Sequence, residues 1–102
     1  MRKRAHPIIE FVVAANDNHI QTATGRAAET LLTLVTRGEA GVTVFDFKGG
    51  PAYRLSAYIA ALRDIPLSII TVREEHDCGW HARYVLHTTV RIISVKGAAN
   101  DN

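Results

Sequence analysis

The sequence predicts an α+β domain of three helices and a β-hairpin, preceded by an extra amino-terminal strand. Three observations carry that expectation. Residues 52–63, Ala-Tyr-Arg-Leu-Ser-Ala-Tyr-Ile-Ala-Ala-Leu-Arg, place Leu55, Tyr58, Ile59 and Leu62 at i, i+3, i+4 and i+7, the spacing of one apolar stripe on a helix. An alternating β-prone run follows from Leu67 and doubles back at His76-Asp77-Cys78-Gly79, as a hairpin does. Upstream, Ala28, Leu31, Leu32 and Val35 repeat at helical spacing, with Arg37 in the last turn and Gly38 as the stop.

The elements follow in order. Residues 1–7, with Arg2-Lys3-Arg4, read as a flexible basic arm, 8–96 as one domain and 97–102 as a flexible tail. Ile8 to Val13 is a β-prone run ended by the turn-rich Asn16-Asp17-Asn18. The first helix is expected from about Thr22 to Arg37. Between Gly41 and Gly50 two signals compete. Val42 to Phe47 alternates weakly like a strand, whereas Thr43-x-x-Asp46 is a helix-start signature. Gly49-Gly50-Pro51 then imposes a turn, and proline suits a first helical position, so a short helix, a turn and the helix over 52–63 are expected.

Leu67–Glu75 and Trp80–Val95 read as the two hairpin strands, the second unusually long. Ile70 and Val72 share a face that Tyr84 and Leu86 are positioned to meet. Trp80, Ala82, Tyr84 and Leu86 form one face of the returning strand, with core packing as the expected role of Trp80 and Tyr84. His81, Arg83, Val85 and His87 form the other, with Arg83 near Arg73.

Composition narrows the class. A chain of 102 residues that is 47% hydrophobic supports a single core without a staple, and Cys78, the lone cysteine, rules out an internal disulfide. Without a secretory h-region or an apolar run of about 18 residues, neither a signal peptide nor a membrane span is expected, and the cytoplasm is the default location. A net charge of +2 is mildly basic, short of the excess on a non-specific nucleic-acid coat protein.

The candidate functional surface is the outward side of the 52–63 helix. At about 100° per residue, Tyr53, Ala57 and Ala60 lie opposite the apolar stripe, flanked by Arg54, Ser56 and Arg63. Alanines there let a backbone approach a duplex closely, while arginine and serine supply donors for base edges and phosphates.

Catalytic and metal chemistry fit less well. His76-Asp77-Cys78-x-x-His81 holds three potential ligands, but a structural zinc site takes four with paired spacing, and the fourth would be a distant His87 or His19. Cys78 lacks a Gly-rich elbow, an oxyanion signature or a second cysteine, and Gly49-Gly50 lacks the Lys-Ser/Thr of a phosphate loop. No enzyme activity, cofactor or metal is expected.

The order helix, helix, helix, hairpin resembles a winged helix-turn-helix domain. More narrowly, Arg54-Leu-Ser-Ala-Tyr-Ile-Ala-Ala-Leu-Arg63 is similar to the Arg-Leu-small-small-x-Ile-x-x-Leu-Arg pattern of small bacterial and phage DNA-binding winged-helix proteins, over about Glu29 to Leu86. The resemblance implies double-stranded DNA as partner, read by the second helix of the motif with the hairpin as wing, in a regulator or architectural factor. Tyr53, Arg54, Ser56 and Ala57 would then face the groove, and Lys48, Arg63, Arg73 and Arg83 the phosphates. The chain departs from the pattern at Asp64-Ile65-Pro66, where such families usually carry a glycine, and at Glu74-Glu75, which would face phosphates.

Ile8–Val13 and Val90–Val95 lie outside the minimal motif and can pair with each other or with a second copy, as in a homodimer. The competing class is a protein-interaction module whose Ala57, Ala60 and Ala61 pack on a partner helix. A continuous positive face around Arg54 favours DNA; Asp46, Asp64, Glu74 and Glu75 breaking that face favour protein.

Overall fold

A computed structural model describes residues 7–13, 16–47 and 54–97. Strands β1 (Ile8–Val13) and β2 (Asn16–Thr24) lead into helix α1 (Gly25–Arg37) and a single 3-10 turn (Gly38–Ala40). Helix α2 (Leu55–Arg63) is followed by β3 (Ile69–His76), β4 (Gly79–Leu86) and β5 (Val90–Lys96). The strands form two antiparallel sheets, one ordered β2-β1-β5 and the other the hairpin β3-β4.

One core joins these parts. Ile9, Phe11 and Ala23 from the first sheet, Ala28, Leu31 and Leu34 from α1, and Leu55, Ile59 and Leu62 from α2 are all buried, together with Val42, Leu67 and Ile69. Helix α1 touches both the sheet and α2. Each fully buried Leu or Ile contributes roughly 1.5–3 kcal/mol of hydrophobic stabilisation, so the three on α2 supply the main force that seats so short a helix.

The structure corrects the expected secondary structure in four places. Helix α1 begins at Gly25, because Thr22 and Thr24 are paired to Glu10 and Ile8 in the sheet. Strand pairing overrides helical periodicity there, and Pro7 O accepts the first helical N–H, from Gly25, at 3.0 Å. Two α-helices are present among the described residues, in place of three. The Thr43–Asp46 signature does form a cap, with Thr43 N donating to Asp46 Oδ2 at 2.8 Å and Phe45 N to Thr43 Oγ1 at 3.2 Å. It caps only a turn through Phe47. Val42 just before it forms an isolated antiparallel bridge with Tyr84, so the strand reading holds at that one residue.

The expected long last strand is two strands in different sheets. The chain turns between them where Ser68 N donates to Thr88 Oγ1 at 2.6 Å and His87 N to Ser68 O at 2.8 Å. The hairpin register also differs from the expected one. Tyr84 and Leu86 oppose Thr71 and Ile69, while Ile70 and Val72 oppose Val85 and Arg83 on the opposite face of the hairpin. A one-residue change moves every side chain to the other side of a strand pair. β1 lies at the centre of its sheet, with β5 along one edge, so the two terminal strands pair with each other within the chain.

Candidate nucleic-acid interface

Helix α2 sits as its apolar stripe dictates. Leu55, Ile59 and Leu62 are buried and Tyr58 is half-buried, leaving Ser56, Ala57, Ala60, Ala61 and Arg63 exposed. Arg54 is the N-cap, its side chain exposed and its carbonyl accepting from Ala57 N at 2.9 Å. Ser56 and Ala57 therefore stand on an open helical face with Arg54 at its amino end. Lys48 and Tyr53 lie outside the described residues.

The remaining arginines of the expected interface are engaged within the fold. Arg63 Nη2 donates to Ile69 O at 2.6 Å and Thr71 Oγ1 at 3.0 Å, tying the end of α2 to the start of the wing. Arg73 Nε bonds Glu75 Oε2 at 3.0 Å, and its guanidinium lies 4.6 Å from the Trp80 ring centroid, within cation–π range. Arg83 faces away from Arg73. It grips Glu74 through Nε at 2.6 Å and Nη2 at 3.0 Å, and its Nη1 reaches Ala40 O at 2.8 Å. That fork straps the wing to the 3-10 turn that follows α1.

The strap extends inward. Glu74 Oε1 also accepts from His81 Nε2 at 3.0 Å, the His81 ring lies 5.1 Å from His76, and Phe45 meets His81 edge-on at 5.8 Å. His81 Nδ1 is buried and has no hydrogen-bond partner among the described residues. The Arg83 guanidinium, assisted by His81, holds the Glu74 carboxyl below its ordinary value against a smaller desolvation effect. Glu74 in turn raises Arg83. Burial pushes Asp46 up, but the Thr43 N–H and hydroxyl, with Arg37 and Arg83 nearby, outweigh it and leave this carboxyl lowered. The two wing acids thus meet arginines inside the chain, Glu74 with Arg83 and Glu75 with Arg73.

Sequence reasoning missed this strap and the glycine beneath it. Gly41 has φ +73°, and a Cβ there would stand 2.8 Å from both Arg83 Cγ and the Tyr84 carbonyl oxygen. A glycine directly before Val42 was the available signal, but only the cross-strand contact gives it meaning. Trp80 corrects another expectation. It is 52% exposed near the hairpin tip, beyond the reach of the core that half-buries Tyr84 and Leu86 on the same strand face. His76, Asp77, Cys78 and His81 do not converge as metal ligands, and among the described residues no group of three or more His, Cys, Asp or Glu does. Nor is any described helix long and apolar enough to cross a membrane.

No curated protein and no solved structure matches this chain. A family model described as a winged helix domain matches residues 20–96, from within β2 to the end of β5, and leaves β1 outside. With a small exposed helix packed on α1, a two-stranded wing behind it and a family match over most of its length, the chain belongs to the winged helix domain family.

Proposed function

We propose that this protein binds double-stranded DNA through the exposed face of α2 and acts, without catalysis, as a small regulator or architectural factor of a bacterium or mobile element, in the cytoplasm. The observation that carries the reading is the open Ser56–Ala57–Ala60 face with Arg54 at its amino end. Small side chains permit close backbone approach. Arg54 is the one arginine of the four described candidates whose guanidinium donates no hydrogen bond among the described residues, so it is available to a base edge or phosphate. Pairing of Glu74 and Glu75 by Arg83 and Arg73 removes the like-charge obstacle to a wing near phosphates.

Among the candidate contacts, Arg54, Ser56 and Ala57 form the described part of the reading surface in this proposal, with Tyr53 assigned to the groove and Lys48 to phosphate from sequence. Arg73 flanks it from the wing, and Arg63 and Arg83 hold the helix and wing in place. In this proposal the single domain spans 8–96 with Arg2-Lys3-Arg4 as a basic arm ahead of it; residues 1–6 and 98–102 lie outside the described residues. Binding two half-sites calls for two copies, because one small domain binds too weakly for specific control.

A second reading, a protein-interaction module, rests on a specific observation. Three of the four described candidate arginines are spent on internal contacts, which thins the positive face, and Ala57, Ala60 and Ala61 stay exposed for a partner helix. Fluorescence anisotropy with mixed duplex fragments across a salt series separates the two. Arg54→Ala is expected to weaken binding by about 1–3 kcal/mol at physiological salt. An absence of binding even near about 50 mM salt refutes DNA recognition and favours the protein module.

A further inference from the structure

We propose that β5 is the docking edge for a second copy of this chain, pairing antiparallel with its counterpart about a two-fold axis so that two β2-β1-β5 sheets become one. The proposal supplies the second copy that the DNA reading calls for, but the association itself requires no DNA.

Four described strands form sheet edges; β4 is bridged by Val42 at Tyr84, and the chemistry of the other three differs. The β3 edge carries Arg73, Glu74, Glu75 and His76 in succession, the kind of charge that blocks edge pairing. The β2 edge begins Asn-Asp-Asn, a poor strand former. β5 reads Val-Arg-Ile-Ile-Ser-Val-Lys, and its central Ile92 to Val95 has no charge and no proline. Ile93 and Val95 are 43% and 41% exposed. Among the described residues no backbone bond from another element reaches the outer edge of β5.

The second copy fits because one register satisfies both faces. Within the chain, Val90 and Ile92 oppose Val13 and Phe11 on the core side, and Val95 opposes buried Ile9 there as well. Arg91 and Ser94 oppose Val12 and Glu10 on the outer side, where Val12 is buried and Arg91 exposed, and a register shift between them leaves Ile93 as the extra residue. That bulge makes the strand self-complementary. Antiparallel pairing of Ile92 with the partner's Ile93 sets Val90 against the partner's Val95 and Arg91 against the partner's Ser94. Core side meets core side at Val90 and Val95, outer side meets outer side at Arg91 and Ser94, and the bulge pair lies on the two-fold axis between them.

Charge agrees with the same register. Ser94 Oγ donates to Glu10 Oε1 at 2.9 Å, which holds that carboxylate on the outer face one strand in from β5. Among the described residues Glu10 has no cation within salt-bridge distance. Strands lie about 4.8 Å apart, so Arg91 of one copy and the partner's Glu10 stand two strands apart, roughly 10 Å at the backbone, a gap their side chains span together. The two-fold axis makes this ion pair twice. A strand pair of this length falls short of the roughly 1,600 Å² of a standard interface, so the dimer dissociates on dilution.

Analytical ultracentrifugation of the full chain without DNA, over a concentration series, tests the proposal. The wild type is expected to move from 11.2 kDa toward twice that mass as concentration rises. Arg91→Glu and Ile93→Lys, both at exposed positions, are each expected to weaken association by about tenfold or more while circular dichroism stays unchanged. Glu10→Arg combined with Arg91→Glu restores the ion pair and recovers the dimer. A wild type that stays at the monomer mass up to about 1 mM overturns the proposal, as does a dimer indifferent to both single substitutions. Either outcome leaves the anisotropy test of DNA binding by α2 to stand or fall separately.

Discussion

Replacing Gly41 by alanine isolates the contact on which the wing's position depends. The residue has φ 73° and ψ −176°, a backbone region that side chains rarely enter and that costs roughly 1–3 kcal/mol to occupy. A Cβ would also meet Arg83 Cγ and Tyr84 O at 2.8 Å each and Val85 Cγ2 at 3.0 Å. Tyr84 O has little room to yield, since it accepts the Val42 N–H at 2.8 Å, and Tyr84 N returns a bond to Val42 O at 2.9 Å. Overpacking of this kind adds about 1–3 kcal/mol. The total, roughly 4 kcal/mol, is a large share of the roughly 5–15 kcal/mol that holds an ordinary domain folded. In a domain of this size it lowers Tm by at least about 15 °C.

Gly38→Ala is the matched control, because Gly38 has φ +57° but an added Cβ there meets nothing within 4 Å. Urea titrations followed by circular dichroism, with the midpoint and slope read separately, compare the two. If Gly41→Ala costs no more than Gly38→Ala to within about 0.5 kcal/mol, the close approach of Gly41 to β4 is not what fixes the wing, and the argument from Gly41 fails.

Other outcomes follow from the same geometry. Glu74 and Asp46 are both lowered in the folded chain, so their contribution is fully present above the unfolded carboxyl value of roughly 4 and is lost as pH falls through the lower folded values. Glu74→Gln is therefore expected to flatten the acid limb of a stability–pH curve and to leave the neutral-to-alkaline part parallel to wild type; an unchanged acid limb refutes the strap. Leu62→Ala, which empties a fully buried site on α2, is expected to cost about 2–5 kcal/mol in the same titration. Trp80→Ala removes an exposed ring with one cation–π partner and is expected to cost no more than about 1 kcal/mol, with Trp80 emission in the wild type quenched readily by iodide.

Local patterns carried part of this protein unaided. The 3.6-residue spacing of Leu55, Ile59 and Leu62 determined both that α2 exists and which side of it is open, because a helix with one apolar stripe has only one way to face a core. Gly38 ended α1 for an equally local reason, since the left-handed conformation at that point favours glycine. Thr43 and Asp46 specified a cap, though not a helix after it. Only the tertiary structure decided what joins what. Thr22–Thr24 became strand because β1 offered hydrogen bonds there, and β4 ended at Leu86 because Ser68 and Thr88 clamp the turn. Arg83 became a strap, with Glu74 and Ala40 placed around it by the hairpin register, and Trp80 stayed in solvent because the wing extends past the core. Sequence spacing reports the period of one element, whereas the partner of a side chain across 43 residues, as between Arg83 and Ala40, depends on how separate elements come together.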